Sequence, residues 1–346
     1  MKRTELNALG EFGLIKEIQK NTKSYHSETL KGIGDDAAVI DSANHVKVVT
    51  TDMLLEGVHF DLSYVPLKHL GYKSVVVNIS DLAAMNAIPK QITVSIGISN
   101  RFSKEAIDEL YAGIHTACEQ YKVDLIGGDT TSSRSGLVIS ITAIGDAKKE
   151  EVVYRNTAND KDIICATGDL GGAYLGLQIL ERERQELLSN PNMQPQLDKF
   201  EYVVMRQLKP EARMDIIYEM RDLGIQPTSM IDISDGLASE LLHITKSSGV
   251  GAVIFEDKLP VEKQMLETLT SEFENLSATT CILNGGEDYE LLFTISQTDF
   301  EKIKTHKDIS FIGYIDSKIE GVKLKTRAEQ IVDVEAQGWV HFGEGL

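Results

Sequence analysis

The sequence has few cysteines and lacks any hydrophobic run long enough to cross a bilayer. Its three cysteines, Cys118, Cys165 and Cys281, lie far apart with no CxxC pair. This pattern excludes a disulfide framework and indicates a reducing compartment. No stretch approaches the roughly 20 apolar residues of a membrane span, and the N-terminus lacks the unbroken apolar core of a signal peptide. We therefore expect a cytoplasmic protein.

Positive charge is also scarce. The 346 residues carry 35 lysines and arginines against 53 aspartates and glutamates, which gives a formal net charge of −18. Such a chain repels a nucleic-acid backbone and an anionic membrane surface, so neither is an expected partner. If it handles a polyphosphate, bound divalent cations must supply the missing positive charge.

Several familiar catalytic motifs are missing. There is no GxxxxGK[ST] phosphate-binding loop, no GxSxG nucleophile motif and no Cys/His zinc spacing. Gly32–Ala37 formally matches GxGxxG/A, but its two acids would repel a bound pyrophosphate, which argues against dinucleotide binding. Gly168–Ala173, GDLGGA, fits either a phosphate-binding helix start or a tight turn. No covalent catalytic nucleophile is expected.

The chain is long enough for two domains. Strand-like and helix-like segments alternate in both halves, which predicts an α/β (α+β) fold. The polar run after Gly145 places the boundary near 147–161, so we predict an N-terminal domain at residues 1–148 and a C-terminal domain at 149–346. Glu181–Gln196 has the composition of a charged insert of low order. Predicted strands include His45–Thr51, Gln91–Ser99, Leu137–Gly145 and Tyr289–Ile295, and predicted helices include Glu11–Gln19, Pro66–Ala87, Ser103–Tyr121 and a helix with Pro210 in its first turn.

Five short segments combine glycine or serine with acids. A single such segment is usually a turn or a helix cap. Together they indicate more, because most of them adjoin apolar runs, and a buried carboxylate without a partner is costly. Carboxylates beside flexible glycines suit Mg²⁺ shared with a nucleotide triphosphate. The segments are Gly32–Ala38, Thr50–Phe60, Asn78–Ala84, Gly127–Thr131 and Asp232–Gly236.

A family resemblance follows from six segments in their order along the chain: GIGDDAAVI, TTDMLLEGVHF, VNISDLAAMNAIP, LIGGDTT, DISDGL and NGGEDYELLF. In order and approximate spacing they resemble the thiamine-monophosphate kinases, over about Glu11 to Trp339. GGDT and DxSDG mark the wider aminoimidazole-ribonucleotide synthetase-like superfamily, whereas EGVHF, NISDLAAM, GGEDYELLF and the terminal Gly338–Phe342 are more specific. The resemblance implies a two-domain fold of that superfamily and a homodimer whose N-terminal strands pair across a two-fold axis.

The resemblance also implies roles for individual residues. The Mg²⁺ and phosphate positions are Asp36 (with Asp35 nearby), Thr50, Thr51, Asp52, Asp81, Asp129, Asp232 and Asp235. The ATP contacts are Tyr111, Gly128, Asp129, Arg155 and Ser234, although this chain has Arg155-Asn156-Thr157 where the family often has Arg-Ser-Gly. The positions that hold thiamine phosphate are His59, Glu287 and Trp339.

Plainer interpretations of the three substrate positions stay open. His59 could be a polar residue on an alternating strand, and Glu287 could belong to a solvated turn. Trp339, the only tryptophan, could be a packing residue. In the functional interpretation its ring faces the cationic thiazolium, and Glu287 faces the aminopyrimidine.

The implied activity is ATP-dependent phosphorylation of thiamine monophosphate to thiamine diphosphate, by direct in-line transfer with several Mg²⁺ ions. The acceptor oxygen is already ionised at neutral pH, so no general base is required. Two alternatives remain: another ATP-dependent synthetase of the same superfamily, or a sensor that binds metal or nucleotide without catalysis.

Overall fold

The computed structural model describes residues 15–16, 19–20, 25–190 and 196–336. Its first sheet has six strands in the order β1-β2-β3-β6-β4-β5. The long pair β3 and β6 is antiparallel from Val46 opposite Ala147 to Leu55 opposite Val138, and β5 pairs with β4 in parallel. These strands are β1 (Thr29–Lys31), β2 (Ala38–Ser42), β3 (His45–Leu55), β4 (Ile88–Ile98), β5 (Asp124–Ser132) and β6 (Val138–Ala147).

Helix α1 (Leu67–Ala84) packs against strands β3, β4 and β6 of this sheet, and α2 (Lys104–Tyr121) packs against α1. Their backbones touch, because a Cβ added to Gly71 would lie 1.9 Å from the carbonyl oxygen of Leu110, and one added to Gly113 would lie 1.9 Å from that of Lys68. Helix α1 is buried along most of its length. It nevertheless carries several polar side chains, and the site described below is built on them.

The second sheet has seven strands in the order β13-β12-β9-β11-β7-β10-β8. Its pairs are antiparallel except for β12 with β9. The strands are β7 (Ile163–Thr167), β8 (Ser229–Asp232), β9 (Gly251–Phe255), β10 (Leu291–Ile295), β11 (Ile309–Asp316), β12 (Val322–Lys325) and β13 (Ile331–Asp333). The helices of this half are α3 (Gly172–Ser189), α4 (Glu201–Leu208), α5 (Met214–Asp222), α6 (Leu237–Ser248), α7 (Lys263–Glu272), α8 (Ala278–Asn284) and α9 (Gln297–Ile303).

The two sheets share buried apolar contacts. One continuous core cluster includes Val48 and Ile79 from the first half and Met230 and Phe293 from the second. Side chains from both halves can therefore meet in one site. The predicted α/β (α+β) class is confirmed, whereas the predicted boundary at residue 148, which lies between the two sheets, stays a prediction. Within the described ranges, no helix is both long and apolar enough to cross a membrane.

Two predictions about the second half are wrong. Residues 181–189 are not of low order, because α3 continues to Ser189 and Glu183 is buried and paired with Arg182. Pro210 does not lie in a first helical turn, because α5 begins only at Met214. The predicted helix Glu11–Gln19 lies mostly outside the described residues.

Candidate metal and nucleotide site

Three aspartates from distant parts of the chain converge where the two sheets meet. Asp36 precedes β2, Asp81 lies near the end of α1, and Asp232 is the last residue of β8. Each offers a carboxylate oxygen, and these oxygens lie within 4.8 Å of one another. We call these three residues the acid cluster. All three lie in acidic segments that were named above from the sequence.

The carboxylates of the acid cluster repel one another in a poorly solvated place. Burial raises the pKa of Asp81, and the carboxylates of Asp52 and Asp232 raise it further. Burial also raises the pKa of Asp36, although the guanidinium of Arg155 opposes this change. The pKa of Asp52 rises to about 6 through burial and the nearby charge of Asp232. The protein holds these acids together at an electrostatic cost.

Arg155 supplies part of the compensating charge. Its Nη2 lies 2.6 Å from Asp36 Oδ1 and its Nε lies 3.3 Å from Asp35 Oδ1. The other oxygen of Asp36, Oδ2, is buried and has no hydrogen-bond donor. A buried carboxylate oxygen without a donor, among further carboxylates, fits a hard divalent cation, which prefers oxygen ligands. The residues present therefore suit Mg²⁺.

Side chains of helix α1 and strand β3 hold several of these acids in position. Ser80 donates a 2.6 Å hydrogen bond to Asp232 Oδ2, and Thr50 donates a 2.5 Å hydrogen bond to Asp81 Oδ2. The backbone N–H of Asp52 donates to Asn78 Oδ1 at 3.2 Å. Sequence reasoning did not assign roles to Ser80 or Asn78. The available signal was two polar side chains that interrupt an apolar helix.

The structure does not bring every predicted metal position to the acid cluster. Successive side chains of a strand point to opposite faces, so Thr51 lies on the face opposite Thr50 and donates to the carbonyl oxygen of Ile141 at 3.0 Å. Asp129 is exposed on the edge strand β5. Strand β5 lies three strands away from β3, about 14 Å at the usual strand spacing. The metal roles of Thr51 and Asp129 stay predictions.

The predicted ATP contacts lie in two places. Ser234 and Asp235 lie two and three positions after Asp232, in the turn between β8 and α6. The backbone N–H of Asp235 donates to Glu240 Oε1 at 2.9 Å in this turn. Gly128 lies beside Asp129 on β5, and Tyr111 is half-buried on α2. Their roles as nucleotide contacts stay predictions.

The predicted substrate position Glu287 lies next to Ser234, because its backbone N–H donates to the Ser234 carbonyl oxygen at 2.7 Å. The φ angles of Glu287 and Tyr289 are +67° and +53°. Such values are uncommon for residues other than glycine, and backbone strain of this kind is concentrated at functional sites. We call Glu287–Tyr289 the Glu-Asp-Tyr turn.

Asp288, the middle residue of this turn, binds the GDLGGA segment. The Asp288 carboxylate accepts hydrogen bonds from the backbone N–H groups of Gly171 (2.6 Å) and Ala173 (3.2 Å) at the start of α3. A carboxylate of the protein thus occupies the position that a phosphate would take, which favours the tight-turn interpretation. Burial raises the pKa of Asp288 to about 7, although Arg206 opposes the rise.

Of the two other predicted substrate positions, His59 lies within the described residues. His59 Nδ1 accepts a 3.0 Å hydrogen bond from the backbone N–H of Leu55, so the neutral ring carries its proton on Nε2. Trp339 lies outside the described residues. Tyr289, which sequence reasoning did not single out, is buried close to the acids, and the pKa of its hydroxyl is raised by burial and by the charges of Glu287 and Asp52.

The fold and this site define a class of protein. The family profile "AIR synthase related protein, N-terminal domain" matches residues 34–147, which contain strands β2 to β6 of the first sheet and Asp36 and Asp81 of the acid cluster. The thiamine-monophosphate kinase of Bacillus subtilis is 35% identical over an alignment 346 positions long, and the match covers 96% of this chain and 100% of the relative. That of Aquifex aeolicus is 33% identical over 338 residues, 97% of this chain and 99% of the relative.

A solved structure agrees with these relatives. "AaThiL complexed with AMPPCP and TMP" matches with a TM-score of 0.84 and 31% identity, and the match covers 99% of this chain and 100% of that chain. This chain belongs to the thiamine-monophosphate kinase family.

Proposed function

We propose that this protein transfers the γ-phosphoryl group of ATP to thiamine monophosphate, which yields thiamine diphosphate and ADP. The observation that carries the proposal is the acid cluster, in which carboxylates from three separate segments meet beside Arg155. Family membership adds support, as does the match to a structure complexed with AMPPCP and TMP.

The acid cluster is the proposed binding place for Mg²⁺. Asp36, Asp81 and Asp232 would hold it, with Asp52 close by. When bound there, Mg²⁺ would neutralise the carboxylates and reduce the repulsion between two phosphate groups. Ser80 and Thr50 keep the carboxylates oriented through their hydroxyl hydrogen bonds.

The proposed transfer requires two anions to approach in line. An oxygen of the acceptor phosphate attacks the γ-phosphorus, the bond from that phosphorus to the bridging oxygen of ADP breaks, and no proton must be removed from the acceptor. The protein therefore contributes position and charge rather than a nucleophile. Arg155 is the cation that the described site presents beside the acids, and Glu287 and His59 are the proposed acceptor contacts.

We further propose a homodimer in which edge strands of the first sheet take part. Strand β5 lies at an edge of that sheet, and exposed edges are templates for pairing. Ile126 on β5 is 58% exposed and Met53 on β3 is 54% exposed, so the sheet offers apolar surface to a second copy. Light scattering tests the dimer, which should have twice the mass of one chain. The expected cytoplasmic location stays a prediction.

The test of the activity is product analysis with ATP and one acceptor at a time: thiamine monophosphate, thiamine or an aminoimidazole precursor, each with and without Mg²⁺. We expect thiamine diphosphate from thiamine monophosphate only when Mg²⁺ is present. ADP formation on another acceptor without thiamine diphosphate would favour a different synthetase of the superfamily. Absence of turnover with every acceptor would favour a sensor.

A further inference from the structure

Lys73 is a buried lysine in helix α1, and only 6% of its surface is exposed. Lysine is seldom buried to this extent without a partner. Its Nζ donates a 3.0 Å hydrogen bond to the carbonyl oxygen of Gln207, at the end of α4. The same Nζ lies 3.0 Å from Oε1 of Glu287. The first half of the molecule is thus joined to the Glu-Asp-Tyr turn of the second half.

Glu287 is held through both of its carboxylate oxygens. Lys73 pairs with Oε1, and the side-chain amide of Gln207 donates to Oε2. Next to it, Asp288 is fixed to the start of α3 through the N–H groups of Gly171 and Ala173. A left-handed backbone conformation at a non-glycine residue persists only where surrounding contacts determine it. These contacts are of that kind.

Helix α1 carries Asp81 of the acid cluster near its C-terminal end, next to Ser80, which binds Asp232. Ser80 and Asp81 follow Lys73 by seven and eight positions, which is about two helical turns and about 11 Å along the axis. Positions so spaced share one face of a helix. Helix α1 therefore sets the distance between Lys73, which holds Glu287, and the carboxylates that are proposed to bind metal.

We propose that Lys73 is a positioning residue for the acceptor. It fixes the Glu287 carboxylate at a set distance from the acid cluster, so that the far end of thiamine monophosphate is bound while its phosphate lies at the metal. This inference rests on the proposed function. The ammonium of Lys73 neutralises the Glu287 carboxylate. Glu287 therefore binds thiamine monophosphate by accepting a hydrogen bond from its ring amino group, rather than by acting as a bare negative charge.

The test compares steady-state kinetics of Lys73→Met and Lys73→Arg with the wild type, and Lys104→Met, an exposed lysine of α2, is the matched control. We expect Lys73→Met to raise KM for thiamine monophosphate by about tenfold, with KM for ATP changed less than about twofold. Lys73→Arg should restore part of the loss, and the control should match the wild type. Equal changes in both KM values, or no change, would overturn the proposal.

A second variant covers the case in which Lys73→Met does not fold. Gln207→Met removes the other hold on Glu287 without removing a buried charge, and it should raise the acceptor KM in the same selective way. An unchanged acceptor KM in both this variant and Lys73→Arg would refute the positioning role.

The double variant Lys73→Met with Glu287→Gln adds a further check. Its acceptor KM should be no higher than that of the single variant with the higher value, because both changes disrupt the same Lys73–Glu287 pair. Effects that multiply would show that the two residues act separately.

The wild-type reaction separates the two claims. If the wild type forms no thiamine diphosphate, the proposed function fails. If it forms thiamine diphosphate and all Lys73 and Gln207 variants keep the acceptor KM, only the positioning role fails.

Discussion

Ser80 in the first half of the chain donates a 2.6 Å hydrogen bond to Asp232 in the second half. The serine is fully buried and the aspartate is 3% exposed, so this bond lies inside the contact between the two sheets. It fixes one member of the acid cluster to helix α1, which also carries Asp81. The geometry of the site therefore depends on how the two halves pack.

Replacing Ser80 should destabilise the protein as well as the site. Ser80→Ala removes the hydroxyl donor from a buried carboxylate, which typically costs about 1–3 kcal/mol. We expect a loss of this size in the free energy of unfolding measured in urea. Ser135→Ala, at an exposed serine, is the control and should change stability by less than about 0.5 kcal/mol. Equal stability of the two variants would contradict the role of this bond.

Replacing Asp81 should separate stability from activity. Asp81→Asn removes one of several repelling carboxylates while its side-chain oxygen can still accept from Thr50. Without divalent cations, the free energy of unfolding should stay equal or rise by about 1 kcal/mol. The value of kcat/KM with Mg²⁺ should fall by about 100-fold or more. Asp222→Asn, an exposed acid on α5, should change neither, and activity of Asp81→Asn close to wild type would refute the metal role.

The contact between α1 and α2 gives a prediction about packing. Because an added Cβ at Gly113 would lie 1.9 Å from the Lys68 carbonyl oxygen, Gly113→Ala must push the two helices apart. Overpacking of this kind costs about 1–3 kcal/mol or more. Thermal unfolding should show a clear fall in Tm, whereas Gly32→Ala, with no atom within 4 Å of the added Cβ, should show little change. Similar Tm values for the two variants would contradict the close approach.

A half-buried histidine on α6, His243, gives a pH prediction. Burial, with help from Arg155 and Lys246, lowers the pKa of His243 from 6.5 to about 4. Between these values the unfolded chain binds one more proton than the folded protein, so this group makes stability fall as the pH falls from about 6.5 toward 4. From pH 7.5 to pH 5.5 its contribution to that loss should be at most about 1.4 kcal/mol.

His243→Gln isolates this contribution from the other titrating groups. Urea unfolding at pH 7.5 and pH 5.5 should show a smaller loss of stability in the variant than in the wild type. His45→Gln, at an exposed histidine, should keep the wild-type pH dependence. A variant at His243 that keeps the full loss would show that this histidine does not remain neutral.

The sequence predicted those elements that have a clear period or boundary signal. Strand β3 and helix α2 follow apolar patterns. Ser103, the first residue of the predicted helix range, caps α2, because its hydroxyl accepts from the backbone N–H of Ala106. Strand β5 was not predicted, because its residues are rich in glycine and polar side chains and most are exposed. Without a buried face, a strand leaves no alternating pattern.

The candidate site was predictable where motifs carry it and not where tertiary contacts define it. Asp36, Asp81 and Asp232 could be named from their segments. The roles of Lys73 and Ser80 could not, because a polar residue in a buried helix gains its meaning from a partner more than 100 positions away, as Glu287 and Asp232 are. Thr51 and Asp129 show the opposite case. Their motifs predicted metal roles, but within one chain neither residue lies at the acid cluster.

The most direct test of the account is a crystal structure with a non-hydrolysable ATP analogue, thiamine monophosphate and Mn²⁺ in place of Mg²⁺, in which anomalous scattering locates the ions. We predict an anomalous peak about 2 Å from carboxylate oxygens of Asp36, Asp81 and Asp232 and next to the nucleotide phosphates. Manganese bound only elsewhere, with nucleotide phosphates remote from these three aspartates, would contradict the account.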